Sequence, residues 1–329
     1  MNLRVLASVV IVAACAPQAP RAAGEGPKLS VPIACEVGRT CEVQHYVDRD
    51  PGPGARDYRC GARTYDKHSG VDIRILDMAA QRRGVDVLAA AAGRVARLRD
   101  GKPDVSVRAM DAPDIKGQEC GNGVVIDHGD GWETQYCHMA NGSVRVKPGD
   151  MVKAGTPIGR VGLSGETEYP HVHMTVRHNG QVVDPFSPTA PATACGSTAS
   201  MWTPQAGRAL AYKPGVIFNA GFAGAPVTFQ EVEDGRVPPA TRASPVIAVY
   251  LLVIGPQKGD VVQISLRDPS GRERPPQQLP PLDRNKSQFF AALQRRSPPG
   301  GWPAGKYVGE LKILRGGKPA LTRTVEMTL

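Results

Sequence analysis

Between residues 60 and 186 the chain consists of short apolar runs that end at glycine-containing turns, and this pattern leaves little room for long helices. Examples are GVDVLAAAAGRVARL, GNGVVIDHGDGWETQYCHM and VKAGTPIGRVGLSG. The segment DHGDGW, which separates two alternating apolar runs, predicts a hairpin turn. The composition agrees, since the 329 residues include 37 Gly and 30 Pro and only 5% aromatic side chains. The sequence therefore predicts a mostly β protein.

The length of the chain predicts more than one folded domain, because 329 residues exceed what one ordinary core organises. From about residue 205 the pattern changes to evenly spaced strand-like runs, such as SPVIAVYLLVIG and ALTRTVEMTL, which predict an antiparallel β-sandwich. The run GWPAGKYVGELKIL resembles the late strands of bacterial immunoglobulin-like accessory domains. The predicted division is a signal peptide over 1–15, a polar lead segment over 16–59, a first folded domain over 60–195, a linker over 196–204 and a β-sandwich over 205–329.

The N-terminal residues, MNLRVLASVVIVAACAPQAP, have the features of a secretory signal. Arg4 precedes a run from Val5 to Ala14 that is apolar except for one serine, and this run is shorter than the roughly 20 residues that a membrane-spanning helix needs. It ends in VAAC, which resembles the bacterial lipobox, so Cys15 is predicted to be the acylated first residue of the mature protein. The alternative is an unlipidated signal peptide that is cut nearer PRAAG. The favoured prediction is an exported, periplasmic protein that a lipid anchors to a bacterial membrane.

Six cysteines remain when Cys15 is set aside, and an even number in an exported chain predicts disulfide bonds. They are Cys35, Cys41, Cys60, Cys120, Cys137 and Cys195. The short spacing in CEVGRTC favours a bond between Cys35 and Cys41, and the pairing of the other four stays open. A zinc site built from cysteines is disfavoured, because the chain contains no CxxC motif.

Positive charge is concentrated in the C-terminal part of the chain. Residues 201–329 hold 17 Lys and Arg against 9 Asp and Glu, and the whole chain has a formal net charge of +9. Two interpretations stay open: a solvated basic surface, or a surface that attracts anionic envelope polymers or lipid head groups. Nucleic acid is not an expected partner, because the chain has an export signal and lacks both interleaved aromatic residues and a nucleic-acid-binding motif.

Two histidines stand one residue apart in EYPHVHMTV, a stretch that is typical of a β-strand. Side chains alternate along a strand, so His171 and His173 are expected to point to the same face of a sheet. Such a pair suits a site that needs both a metal ligand and a group that moves protons. The pair therefore predicts a functional site, provided that the remaining ligands occur elsewhere in the chain.

Two further motifs supply the other candidates. In YDKHSGVDIRI, His68 precedes Asp72 by four residues, which is about 13 Å on a straight strand. Both side chains reach one ion only if the Ser69–Gly70 pair bends the chain. In TQYCHMANG, His138 is expected on a strand with Tyr136 on the same face. Together, these motifs and the histidine pair supply three plausible zinc ligands and two spare histidines.

The order and spacing of HSGVD, YCH and HVH resemble the pattern of the lysostaphin-type (LytM-like) zinc metallopeptidases, which cut peptidoglycan cross-links. The connecting segments, among them VKPGDMVKAGTPIGRVGLSG and GQVVDPF, are similar to the family as well, and the resemblance covers about residues 60–186. It implies a lysostaphin-like antiparallel β-sheet domain that carries one Zn²⁺ per chain. It also implies hydrolysis of peptide cross-links by a zinc-activated water, with the peptide stems of peptidoglycan as the partner.

The resemblance assigns roles residue by residue. It implies that His68, Asp72 and His173 hold the zinc. It also implies that His138 and His171 are the catalytic histidines, one as the base and one as the donor to the oxyanion, in an order that stays open. Two histidines and one carboxylate leave a fourth position for water, which is the arrangement of a catalytic zinc site.

Tyr136 and Asn122 are weaker candidates, for contact with substrate. Asn122 stands between two glycines, and a role in a turn is an equal alternative for it. The other histidines, which are His45 in the lead segment and His128 and His178 in turns, are expected to be structural or incidental.

The chain departs from the family at a few positions. Met174 and Thr175 follow the histidine pair where the family usually has Phe-Glu, and Tyr169 stands where a small residue is common. These changes remove no predicted ligand. Inactive relatives lose zinc ligands, whereas this chain keeps all five positions, so hydrolysis is favoured and a catalytically inactive LytM-like activator or scaffold of other cell-wall hydrolases is the alternative function. A biotinyl or lipoyl carrier domain is rejected, because VKPGDMVKAGTPIGRV lacks the lysine that those carriers place at an exposed hairpin tip.

Overall fold

The computed structural model describes residues 26–109, 114–191, 193–196, 199–273 and 275–329. Within these residues the protein is mostly β, with antiparallel sheets and three short helices, so the predicted fold class is confirmed. The predicted signal peptide, including Cys15, lies outside the described residues. In the described ranges no helix is both long enough and apolar enough to cross a membrane.

An eight-stranded antiparallel sheet dominates the N-terminal part of the chain. Its strands follow the spatial order β1 (Cys41–His45), β2 (Val71–Ile75), β9 (His171–His178), β6 (Trp132–Met139), β5 (Asn122–Asp127), β4 (Gly93–Arg99) and β7 (Met151–Val152), and β10 (Gln181–Val183) pairs with β9. A separate two-stranded sheet joins β3 (Asp86–Leu88) to β8 (Pro157–Arg160). Helix α1 (Met78–Arg83) begins after Asp77, whose side chain accepts a hydrogen bond from the N–H of Ala80.

Alternation along the central strands separates an apolar face from a polar face. Val71, Ile73 and Ile75 on β2, and Val172 and Met174 on β9, are fully buried in the core. The intervening side chains point to the opposite face of the sheet. These are Asp72 and Arg74 on β2 and His171, His173, Thr175 and Arg177 on β9. The sequence pattern therefore puts the histidine pair and the aspartate on one face.

The lead segment and the predicted linker pack into the same apolar core as the sheet. β1 pairs antiparallel with β2, and Leu29 is fully buried in this core. On the C-terminal side, Met201 and Trp202 are buried there too, and helix α2 (Pro204–Ala209) follows with Thr203 as its cap. The predicted division of the chain stays a prediction, and the core extends past both ends of the predicted first domain.

The C-terminal part of the chain forms two antiparallel sheets. One contains β11 (Val216–Ala223), β12 (Val246–Ile254) and β15 (Gln288–Arg296), and the other contains β14 (Gln277–Gln278), β13 (Val261–Arg267), β16 (Lys306–Arg315) and β17 (Lys318–Thr328). Helix α3 (Phe229–Asp234), with a capping box between Thr228 and Glu231, connects β11 to β12. The two sheets share an apolar core that includes Val249, Leu251, Ile264, Leu311 and Ile313. This is the layering of a β-sandwich.

Three disulfide bonds cross-link the N-terminal part. Cys35 bonds to Cys41, as the spacing predicts. The pairs that the sequence analysis left open are Cys60–Cys195 and Cys120–Cys137. Cys60 and Cys195 are 135 positions apart, so their bond ties the beginning of the predicted first domain to its end.

Buried polar contacts join the two parts of the chain. Arg74 is fully buried and donates to Glu233 Oε1 of α3 over 2.7 Å and to Gln288 Oε1 of β15 over 2.6 Å. Its guanidinium carbon also lies 4.7 Å from the ring centroid of Tyr169. Because a buried charge is costly unless it is paired, these contacts hold the C-terminal part against the polar face of the sheet.

Candidate metal centre and cleft

The register of the sheet brings Asp72 and His173 together. β2 and β9 are antiparallel, and Asp72 stands directly opposite His173. Asp72 Oδ1 lies 2.8 Å from His173 Nδ1. A slip of one residue would move the polar side chains of the slipped strand to the apolar face, so burial of that face fixes this pairing.

His68 reaches the same point from the loop that precedes β2. Its Nε2 lies 3.1 Å from Asp72 Oδ1 and 3.2 Å from His173 Nδ1. The preceding residue, Lys67, has a φ of 64°, which turns the chain just before His68. Gly70 permits the close approach, because a Cβ there would lie 2.5 Å from His173 Nε2. The three predicted ligands therefore meet in space.

The chemistry of this donor set fits a zinc ion. The Nδ1–H of His68 donates to the carbonyl of Tyr46 over 2.7 Å, so Nε2 carries a lone pair toward Asp72. Electron-rich atoms at these separations repel one another unless a cation or a proton lies between them. The ligands of a tetrahedral zinc, with bonds of about 2.0–2.1 Å, lie about 3.3 Å apart. Two imidazoles and one carboxylate are also the ligand types of catalytic zinc sites.

His173 belongs to two groups of potential metal ligands. One joins it to His68 and Asp72, and the other joins it to His138 and His171; in each group all ligand atoms lie within 4.8 Å of one another. In the first group the three ligand atoms lie 2.8 to 3.2 Å apart. It alone of the two contains a carboxylate, whose charge offsets that of a buried cation. The first group is therefore the better candidate.

A β-bulge turns His138 toward the other histidines. The ladder between β5 and β6 shifts register at this point, and His138 has a φ of 60°. The centroid of its ring lies 4.7 Å from that of His171. Its Nδ1–H donates to the carbonyl of Ser164 over 2.8 Å, so Nε2 of the neutral ring carries the lone pair.

His171 is held in the same tautomer. Its Nδ1–H donates to the carbonyl of Tyr169 over 2.9 Å, and Thr167 Oγ1 lies 3.1 Å from the same nitrogen. Its Nε2 lies 3.4 Å from Asp72 Oδ1. Both spare histidines therefore carry their proton on the nitrogen that faces the backbone and leave Nε2 unprotonated.

Burial and close packing shift the protonation equilibria of the site. Burial raises the pKa of Asp72, but the imidazoles of His68 and His171 outweigh this effect and hold that pKa well below its usual value. Burial, together with the charges of His171 and His173, holds the pKa of His138 well below its ordinary value. Near pH 7 Asp72 is therefore ionised, as a candidate anionic ligand needs to be, and His138 is neutral.

His45, for which a structural or incidental role was predicted, lies beside the candidate metal centre. Its Nδ1 is 3.0 Å from Asp72 Oδ2. Strand alternation puts His45 on the same face as Cys41 and Val43, which is the apolar face. A register shift between Val43 and His45 moves the histidine to the face of Asp72 instead. The sequence pattern of β1 carries no signal of this shift, so the role of His45 could not be predicted.

The structure places Tyr136 in the core and away from the cleft. Its side chain is fully buried, it stands opposite Met174, and its hydroxyl accepts a hydrogen bond from the N–H of Ala90 over 2.7 Å. The expectation that Tyr136 shares a face with His138 does not hold, because the bulge at His138 interrupts the alternation. Burial also raises the pKa of Tyr136 to about 12.

Asn122 and the remaining histidines have local structural contacts. Asn122 is fully buried, and its amide pairs with the backbone N–H and carbonyl of Lys102. His128, in the β5–β6 turn, contacts the carbonyl of Ala92 just before β4, and His178 stacks on Trp132 with ring centroids 4.2 Å apart. Asn122 is the first residue of β5 and does not lie in a turn, and the contacts of all three side chains are structural.

The candidate metal centre borders two recesses that share Tyr65, His138 and Glu166. One has a volume of about 530 Å³ and extends along β9 to Arg177. The other has a volume of about 750 Å³ and extends past His171 to Lys286 of the C-terminal part. An extended peptide that occupied both recesses would pass His138.

Comparison with known proteins identifies one matching family. The model of peptidase family M23 matches residues 66–185. This range contains the predicted ligands and catalytic histidines, which are His68, Asp72, His138, His171 and His173.

Individual relatives match short parts of the chain. The cell division protein DipM of Caulobacter vibrioides is 36% identical over 72 residues, which are 22% of this chain and 12% of DipM. The DD-carboxypeptidase/endopeptidase Mpg of Neisseria meningitidis is 41% identical over 71 residues, which are 22% of this chain and 16% of Mpg. The outer membrane antigenic lipoprotein B of Histophilus somni is 40% identical over 102 residues, which are 31% of this chain and 25% of the lipoprotein. The chain thus spans a quarter or less of each of these relatives.

Solved structures are similar over about half of the chain or less. The catalytic domain of the prophage-encoded M23 protein EnpA from Enterococcus faecalis is 24% identical with a TM-score of 0.33, and the match covers 50% of this chain and 97% of that domain. The catalytic domain of lysostaphin from Staphylococcus simulans is 26% identical with a TM-score of 0.26, and the match covers 36% of this chain and 76% of that domain.

Proposed function

Residues 66–185 form a LytM-type domain of peptidase family M23, and from this premise we propose that the chain is a zinc-dependent endopeptidase that hydrolyses peptide cross-links of bacterial peptidoglycan. The observation that carries the proposal is the convergence of His68 Nε2, Asp72 Oδ1 and His173 Nδ1, which lie 2.8 to 3.2 Å apart. A domain that served only as a scaffold would have no need of such a set of ligand atoms. The relative Mpg, named as a DD-carboxypeptidase/endopeptidase, supports the substrate class.

We assign one zinc ion per chain to His68, Asp72 and His173. Zinc bound by these residues would polarise the scissile carbonyl and lower the pKa of a water toward about 7. His45 Nδ1 donates a hydrogen bond to Asp72 Oδ2, so Oδ1 is the carboxylate oxygen that would bind the metal. Three protein ligands leave one position for water or substrate.

His138 and His171 are proposed to move the protons of the reaction. Backbone carbonyls fix the Nδ1–H of both rings, so both Nε2 atoms are unprotonated in the neutral state. One Nε2 takes the proton of the attacking water and returns it to the leaving amine. The other Nε2, after it takes a proton from solvent, would donate to the developing oxyanion. The two rings are held alike, so either assignment of these roles satisfies the geometry.

The proposal is tested with the purified full-length protein and purified sacculi. We expect about one zinc per chain and conversion of cross-linked peptide stems in the sacculi to stems without a cross-link. The His173→Ala variant should lose both, because a ligand is removed, whereas His178→Ala, on the same strand but stacked on Trp132, should retain both. Full zinc occupancy in His173→Ala would contradict the ligand assignment. A wild-type protein that binds zinc and cleaves nothing, yet stimulates a second hydrolase, would favour the alternative of an inactive LytM-like activator.

We also propose that the protein is exported and anchored to a membrane by lipid on Cys15. The three disulfide bonds support an oxidising compartment. A relative from Histophilus somni is named as an outer membrane lipoprotein. The Cys15→Ser variant should move from the membrane fraction to the soluble fraction, because acyl chains would be the anchor. Recovery of the wild-type protein in the soluble fraction alone would contradict the anchor.

The C-terminal part is proposed to attract the enzyme to an anionic envelope surface. Its 17 Lys and Arg exceed its 9 Asp and Glu, and several of the basic side chains are exposed. They include Lys258, Arg267, Arg296 and Lys318. Cleavage is left to the peptidase domain.

A further inference from the structure

A chain of hydrogen bonds runs from the C-terminal part of the protein to the proposed metal centre. Ser287 lies just before β15, and its Oγ is 2.9 Å from His45 Nε2. The other ring nitrogen of His45, Nδ1, is 3.0 Å from Asp72 Oδ2. Three residues from distant parts of the sequence are therefore linked in a row that ends at a candidate zinc ligand.

The chemistry of these groups fixes the direction of the hydrogen bonds. An ionised carboxylate only accepts, so His45 Nδ1 carries the proton and donates to Asp72. Its Nε2 then has the lone pair and accepts from the hydroxyl of Ser287. The side chain of Gln44 donates to the same Oγ over 3.0 Å and to the Ser287 carbonyl over 3.1 Å. The Tyr169 hydroxyl lies 3.2 Å from His45 Nδ1 and shares that proton.

We propose that His45 and Ser287 are positioning residues of the metal centre. His45 occupies Asp72 Oδ2, so that Oδ1 is the oxygen that faces His68 and His173. Ser287 in turn holds His45 in the tautomer and ring orientation that this contact needs. The inference rests on the proposed zinc site, and it makes the C-terminal part a structural component of that site.

The segment that carries Ser287 is itself fixed against the sheet. The next residue, Gln288, accepts from Arg74 over 2.6 Å, and Arg74 also donates to Glu233 over 2.7 Å. Arg74 is fully buried and lies two residues after Asp72 on β2. The contact between Ser287 and His45 therefore belongs to a fixed interface between the two parts of the chain.

Zinc affinity of the full-length protein tests the proposal, measured by competition with a chromogenic chelator. Groups that orient a metal ligand typically contribute about 10–100-fold to metal affinity. We expect a loss of that size in His45→Leu and a smaller, measurable loss in Ser287→Ala. Ser287→Thr keeps the hydroxyl and should bind zinc like the wild type. Gln44→Leu is the matched control. It removes the two hydrogen bonds from the Gln44 amide to Ser287 but leaves the hydrogen bond from Ser287 to His45.

Each outcome of this experiment decides the question. Equal zinc affinity in Ser287→Ala and the wild type would overturn the role of Ser287, and an equal loss in Gln44→Leu would show a general packing effect and overturn it as well. If His45→Leu does not fold, His45→Asn replaces it. Its amide can still donate to Asp72, so this variant should bind zinc. Adding Ser287→Ala to it should not lower the zinc affinity further. A wild-type protein that binds no zinc would overturn the proposed function together with this inference. If the wild type binds zinc and the His45 and Ser287 variants bind it with the same affinity, the inference alone is overturned.

Discussion

The ring of His138 lies 4.7 Å from the ring of His171, and each ring donates its Nδ1–H to a backbone carbonyl. The two carbonyls belong to Ser164 and Tyr169, which lie in the single segment between β8 and β9. One loop therefore sets the tautomer of both histidines. In the neutral rings this tautomer leaves Nε2 unprotonated, so the loop leaves each ring with a nitrogen that can accept a proton.

Removal of either ring should separate catalysis from metal binding. We expect His138→Ala and His171→Ala to keep most of the zinc and to lose about 10²–10⁴ in rate, which is the usual contribution of general acid–base catalysis. The measurements are the turnover of a soluble cross-linked peptide and the zinc content of the same samples. Complete loss of zinc from either variant would move that residue into the ligand set.

Strand alternation made part of this site predictable. His171 and His173 follow the period of two residues along β9, so their common face could be predicted from the sequence. Asp72 lies beside them through the register of β2 and β9, which the sequence does not show. His138 and His45 depend on bulges, which interrupt that period at single positions. The spacing of the YCH motif nevertheless made His138 a candidate, because the resemblance of a motif to a family can be seen without predicting the bulge.

Contacts between distant segments were beyond prediction from the sequence. Ser287 and His45 are 242 positions apart, and neither stands in a motif. Their contact depends on how the C-terminal sheets pack on the polar face of the first sheet, through Arg74 and its partners. Local propensity and period describe single elements, and they contain no information on such packing. The same limit applied to the pairing of Cys60 with Cys195.

The Cys60–Cys195 bond should contribute more to stability than the Cys35–Cys41 bond. The first pair is 135 positions apart and the second is 6 apart. Closing a longer loop removes more entropy from the unfolded chain, about 5 kcal/mol against about 2 kcal/mol in the chain-entropy model. We expect the double variant Cys60→Ser/Cys195→Ser to lose about 2–4 kcal/mol of unfolding free energy. Denaturant unfolding measures this loss, and an equal or larger loss in Cys35→Ser/Cys41→Ser would contradict the prediction.

Asp184 should make stability depend on pH. Burial raises the pKa of this carboxyl from 3.8 to about 6, although its Oδ1 accepts from the N–H of Phe186 over 2.9 Å. Its Oδ2 has no hydrogen-bond partner among the described residues. The pKa is higher in the folded state than in the unfolded state, so the folded state binds this proton more tightly. The carboxyl therefore destabilises the fold increasingly as the pH rises from about 4 to about 6, and fully above that range.

The Asp184→Asn variant isolates this effect. The amide oxygen can still accept from Phe186, and the buried charge is removed. Near pH 7 we expect the variant to be more stable than the wild type by about 1–3 kcal/mol. Near pH 4 the two proteins should be about equally stable, because the wild-type carboxyl is then protonated in the folded state. Denaturant unfolding at both pH values tests this, and a difference that does not change with pH would contradict the role of the charge.

Attraction of the C-terminal part to an anionic surface should depend on salt. Exposed charges are screened beyond about 8 Å at physiological ionic strength, so binding to sacculi or to anionic vesicles should weaken as salt is added. The rate at which a small soluble peptide is cleaved should not fall in the same way as salt is added. Deletion of the C-terminal part is a poor test of this idea, because it would also remove the contacts of Ser287 with His45 and of Gln288 with Arg74.

Replacement of exposed basic side chains leaves those contacts in place and is the sharper experiment. One variant replaces four residues of the C-terminal part with glutamine: Lys258, Arg267, Arg296 and Lys318. A matched control replaces four exposed residues of the N-terminal part: Arg83, Arg94, Lys147 and Lys153. Both lose the same net charge, so a difference between them reports the location of the charge. We expect the first variant alone to bind sacculi more weakly at low salt and to digest them more slowly, while both cleave the soluble peptide at the wild-type rate. Equal binding and equal digestion of sacculi by the two variants would show that the basic surface is only a solvated face.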